Sequence, residues 1–281
     1  MKKTLLILLA VLIALALPVY GSRQAIEALE RHQEPGGLAM NLAWWVTQLP
    51  GYGAFTDVPR TRLAVAVHQL HDGAEFGDLP QQQQRGERLL QRLQPWLDSR
   101  QQDALTLQAQ QIALAALVRM PQQPEGLAAQ LESRLAPALQ APAASQLPPM
   151  LRLQAAEALA MSAARRQDTA AASQWQAHAW QAVPAPTDIK AQTLENTARS
   201  LIPLRIALAG CQPGQAAPDV GAARQALAHG YDIRQLRRQY QSGWDRPLML
   251  TAEQAAMASD CATLAREYQQ LLTAPQPASA Q

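Results

Sequence analysis

"LTLQAQQIALAAL", residues 105–117, and "LRLQAAEALAMSA", residues 151–163, decide how the rest of this chain is read. Both open Leu-x-Leu-Gln-Ala, and from Leu105 to Val118 the apolar residues cover far more than one narrow helical stripe. A helix with so wide an apolar arc has to be covered by neighbours on two sides. Each copy is followed by a turn marked by Pro or polar residues and then by a second helical segment. Those second segments end in "ALQAPA" (138–143) and "AWQAVPA" (179–185). The repeating unit is a helical hairpin of about 40 to 46 residues, a length typical of stacked helical repeats, in which no single hairpin buries its apolar face alone.

The remainder of the chain agrees. It is rich in Ala, Leu, Gln and Arg, which are strong helix formers, and poor in the β-branched and aromatic residues that strands favour. No run alternates apolar and polar residues with the period of a strand. The expected fold is all-α: an array of helical hairpins of α-solenoid type, or an irregular bundle of similar hairpins. Leu159, Ala160, Ala172, Ala179 and Pro184 stand at spacings that resemble a tetratricopeptide repeat, with Ala163 and Gln176 in place of its large aromatic residues. The resemblance to tetratricopeptide and HEAT repeats is one of form.

Punctuation sets the expected boundaries. "EPGG" (34–37) closes a first helix, and "LAMNLAWWVTQL" stops before Pro50. Asp57 is placed to cap the helix leading to His71. Helices are expected over roughly 80–94 and 95–119, with Pro95 in the first turn of the second. "MPQQPEG", "APAASQLPP", "VPAPTD" and "CQPGQAAPDVG" separate the later helices. Thr251 and Gln254 form a capping box that should open the last helix. The Pro- and Ala-rich tail over 273–281 should be frayed.

The N-terminus has the pattern expected of a targeting signal. Lys2 and Lys3 precede an uncharged run of Leu, Ile, Val and Ala from Thr4 to Leu17, followed by Pro18 and by Val19-Tyr20-Gly21. This is the pattern of a secretory signal peptide cleaved after Gly21, or of an uncleaved anchor through residues 4–20. Pro18 is expected to break the apolar helix. In both cases the lysines stay in the cytoplasm and residues 22–272 form an exported all-α domain, in the bacterial periplasm or tethered to the inner membrane. The absence of a Cys after the apolar run argues against lipidation.

Formal net charge is +2, and the arginines are spread along the chain. That charge gives no footing for nucleic-acid binding. Arg234, Arg237 and Arg238 in "IRQLRRQY" are the one local cluster, most simply a solvated helix face. Cys211 and Cys261 are expected to pair in an oxidising compartment. The bridge would close a loop of about 50 residues and contribute roughly 4 kcal/mol in the chain-entropy model.

Chemistry is thinly signalled. His68 and His71, in "VAVHQLHDGAEFGD" (65–78), are separated by one helical turn and are weak candidates for a metal site. They lack the i, i+4 pair flanking a Glu that makes such a site specific. Gly73 follows them as a helix C-terminus would, and His in a last turn interacts favourably with the dipole there. His32, His178 and His229 have no ligand spacing. There is no G-x-S-x-G nucleophile elbow, and "GYG" (51–53) is no phosphate loop. No catalytic residue and no cofactor is assigned.

Six tryptophans are many for a chain with two phenylalanines. Trp44 and Trp45 are adjacent, about 100° apart on a helix, and cannot both face one core. Trp175 and Trp180 diverge likewise. Trp44, Trp45 and Trp180 are the candidate partner surface, since indoles are favoured at binding hot spots. Beside an anchor, Trp44 and Trp45 also suit a membrane interface. The expectation is an exported scaffold or adaptor for an envelope protein partner. The alternatives are an envelope hydrolase, metal-dependent or acting on the cell wall, and a helical binder of small ligands or lipids.

Overall fold

A computed structural model of the chain describes residues 2–31, 33–71, 82–183, 189–228, 246–256 and 259–273. Among them all regular structure is helical. The α-helices are α1 (Lys2–Glu30), α2 (Gly37–Gln48), α3 (Val58–His71), α4 (Gln82–Leu97), α5 (Ala104–Arg119) and α6 (Leu127–Gln140). They continue as α7 (Pro149–Arg165), α8 (Thr169–Ala182), α9 (Ile189–Gly210), α10 (Gly221–Ala228), α11 (Arg246–Gln254) and α12 (Asp260–Thr273). Short 3-10 turns cover Tyr52–Ala54 and Pro142–Gln146. The chain divides into two compact units, one of residues 1–72 and 92–110, the other of 73–91 and 111–281.

The wide apolar arcs have the predicted consequence. Every residue from Leu105 to Met120 is buried, including Gln108, Gln110, Gln111 and Arg119. Ala155–Ala164 of α7 are buried on all sides as well. Of the two expected hairpins, α7 and α8 pack against each other, and α6 packs against α7. A third, α9–α10, follows the same plan, with Leu201–Gly210 wholly buried. In the second unit α7 lies against α6, α8 and α9, and α9 lies against α7, α8, α10, α11 and α12. Helices covered on all sides thus alternate with helices that keep a polar outer face.

Several polar groups inside this unit are paired. Arg205 of α9 donates to Glu157 of α7 at 3.1 Å, each side chain about 10 % exposed. Arg165 donates to the carbonyls of Val118 and Pro121 at 2.5 and 3.2 Å, closing the C-terminus of α5. Burial lowers the pKa of that guanidinium from its ordinary value. Cys211, just beyond α9, is bonded to Cys261 in the first turn of α12, with Cα atoms 5.8 Å apart. Cys261, Leu264 and Tyr268 are buried, as the spacing of the final helix predicts.

Three boundaries differ from expectation. Pro18 lies inside α1, which runs unbroken to Glu30. Pro removes one hydrogen bond, and the residues beyond it are held helical by packing against α2 and α3. Pro95 likewise lies inside α4 and opens no new helix. The helix ends two residues later at Leu97, so the lost bond shortens only its final turn, and α5 starts only at Ala104. Thr251 and Gln254 belong to α11, so the expected capping box does not start the final helix. Ser259 does, accepting the amide of Ala262 at 3.4 Å. Asp57 caps α3 as expected, accepting the amide of Arg60 at 3.0 Å.

Candidate membrane and partner surface

In the first unit, α1 and α2 pack as an antiparallel pair. Gly21 meets Leu42, while Ala25 shares a buried cluster with Met40, Ala43 and Val65. Rising numbers on one helix therefore match falling numbers on the other. Gly21 is required by this approach, because a Cβ there would lie 2.4 Å from the Leu42 Cβ. Ser22 is buried and hydrogen-bonds Thr61 at 2.6 Å and Thr56 at 3.3 Å, tying the same level of α1 to α3 and the loop before it. Ala25, Ile26 and Leu29 continue the buried face. At the far end, Arg60 forms ion pairs with Glu30 and Asp103, and Gln108 donates to the Leu29 carbonyl at 2.6 Å.

Above Pro18 the character of α1 changes at once. Pro18 is buried, but Leu9, Ala10 and every residue from Leu12 to Leu17 are exposed. Exposure runs from 47 % at Leu17 to 56 % at Leu12 and Leu15. This stretch is apolar around its whole circumference and no neighbour covers it. Among the described residues no helix is long and apolar enough to cross a membrane. The anchor expected through 4–20 is therefore seen as an exposed apolar helix end and not as a full span.

The tryptophans sit beside that junction. Trp44 and Trp45 are 44 % and 49 % exposed, their rings in an edge-on contact with centroids 5.7 Å apart. Neither faces the core, which Met40, Ala43 and Val46 supply from the same helix. By the Gly21–Leu42 register and a rise of about 1.5 Å per residue, they stand level with Pro18 and Val19. Tyr20, Leu49 and Phe55 are also exposed, Phe55 by 67 %. The hydrogen bond from Thr56 to Ser22 holds Phe55 at this same end of the unit. Phe55 and Leu49 were not foreseen. An apolar residue in a turn has no periodicity to betray it.

The other candidates are less prominent. Trp180, in the second unit, is half-buried, and the Arg199 guanidinium stands 5.9 Å from its ring centre. Trp175 is buried against His178, with ring centres 5.0 Å apart. His68 is half-buried on α3, while the side chain of His71 lies outside the described residues. So do His32, His229, Arg234, Arg237, Arg238 and the tail beyond Thr273. Among the described residues no three His, Cys, Asp or Glu side chains gather as a metal site. Ser162 donates to Glu132 at 2.5 Å, but Glu132 is held in an ion pair with Arg166. Compared with protein-family models, curated proteins and solved structures, the chain matches none.

Proposed function

We propose that this protein is a membrane-tethered scaffold of the bacterial envelope, presenting helical hairpins to a protein partner on the exported side. The observation that carries the reading is the apolar stretch in which Leu9, Ala10 and every residue from Leu12 to Leu17 are exposed. Leu and Ile in a bilayer contribute about −0.5 kcal/mol each on an insertion scale, so this helix end favours lipid over water. Residues 4–20 reach about 25 Å as a helix, short of a hydrocarbon core of about 30 Å. Lys2 and Lys3 place the N-terminus in the cytoplasm. The Cys211–Cys261 bond suits the oxidising side.

Retention of the tether is supported by its packing. Gly21 and Ser22 flank the bond that a signal peptidase would cut, and both are buried in an unbroken helix. Cleavage needs exposed and locally unfolded backbone. The partner is expected to dock on the helical array, because outer helices such as α6 and α8 keep polar faces over a rigid, fully buried layer.

The test is fractionation of the full chain followed by alkaline extraction, with crosslinking in the native envelope alongside. The protein is expected in the membrane pellet with Met1 or its neighbour at the N-terminus. Leu12→Arg, which places a charge costing about 2.5 kcal/mol or more in the apolar stretch, should release it. A soluble product starting at Ser22 would refute the tether. Absence of any stoichiometric crosslinked protein would refute the adaptor role.

A further inference from the structure

We infer that the first unit rests directly on the bilayer, with Trp44, Trp45 and Phe55 seated in the lipid headgroup layer. This deepens the tether reading and rests on it. The argument begins at the junction. The last exposed apolar residue of the stretch is Leu17 and the first buried residue of the folded unit is Pro18. No linker separates them, and α1 is continuous across the boundary. Whatever stands level with Pro18 to Ser22 is therefore held within a turn or two of the lipid surface.

Exposed aromatic and apolar residues stand there, beside the polar Thr47, Gln48 and Asp57. Trp44 and Trp45 lie level with Pro18 and Val19 by the antiparallel register, and Phe55 adjoins Thr56, which bonds Ser22. Tyr20 and Leu49 extend the same patch. Trp and Tyr favour the membrane–water interface because their rings join an apolar body to a polar edge. The far end of the unit is different: there Arg60, Glu30 and Asp103 form an ionic cluster. The unit is thus polarised along α1, apolar toward the tether and charged away from it.

Length gives a second, independent reason. A helix of about 25 Å falls short of a hydrocarbon core of about 30 Å, a mismatch that flanking anchors relieve by being drawn to the interface. A folded body with an aromatic end answers that deficit. An ionic end would be expelled by it.

The experiment uses the full chain reconstituted in phosphatidylcholine/phosphatidylglycerol vesicles. The lipids carry bromine either just below the glycerol or near the chain ends. Flotation reports membrane association, and tryptophan emission reports depth. Quenching by the shallow bromines and not by the deep ones is expected. It should be lost in Trp44→Phe/Trp45→Phe and regained when Phe55→Trp is added to that variant. A chain that floats but shows the same quenching in the double variant, or none at any depth, overturns the seating and leaves the tether standing. In that case the indoles serve another surface, such as a protein partner. A chain that fails to float overturns both readings.

Discussion

A methyl group at Gly21 would meet the Leu42 Cβ, an atom fixed to its backbone and unable to swing aside. Gly21→Ala is expected to destabilise the first unit by about 1 to 3 kcal/mol, the usual result of overpacking. Gly36→Ala, where nothing lies within 4 Å, is the control. Chemical denaturation of the two variants checks it. The sequence shows that position 21 is small, but a peptidase recognition site and a close helix crossing both demand smallness. Only the contact with Leu42 separates them. A second residue-scale prediction concerns Glu157, whose carboxylate meets Arg205 inside the second unit. Glu157→Ala should cost about 3 kcal/mol, because a buried cation loses its counter-charge. A fall in the denaturation midpoint with an unchanged slope is the expected signature.

Among the helices, capping was legible where a single side chain decides it. Asp57 caps α3, and Asp168 caps α8 by accepting the Ala171 amide at 3.0 Å. Asp168→Ala should destabilise the α7–α8 hairpin by about 1 kcal/mol, with Asp168→Asn close to neutral. Thermal melts of the pair will show whether the cap acts this way. Where packing competes with local preference, the letters mislead. Thr251 and Gln254 have the spacing of a capping box but lie within α11. Pro18 and Pro95 look like breaks, yet α1 and α4 both continue through them, α1 with the packing of α2 and α3 behind it. Pro203 hides the third buried helix in the same way. "LIPLRIALA" (201–209) is as apolar as the two repeat stretches, but a proline in its centre disguises the periodicity.

Over the whole molecule, the covalent link bears on stability. The disulfide joins the end of α9 to the start of α12 across a sequence separation of 50. Its reduction, or Cys211→Ser/Cys261→Ser, should lower stability by up to about 4 kcal/mol in the chain-entropy model. Melting with and without reductant tests this, and an unchanged midpoint would show that the bridge carries no stability. The all-helical class, the pairing of the cysteines and the double-sided burial of α5 were written in composition and spacing. Each follows from a residue's own preference or from a short-range period, and such information survives in one dimension. The third hairpin, the unbroken α1 and the gathering of Trp44, Trp45 and Phe55 at one end of a unit were not. They depend on which helix lies against which, and at what level. That is settled by contacts such as Gly21 with Leu42 and Ser22 with Thr56, between residues that sequence alone leaves far apart.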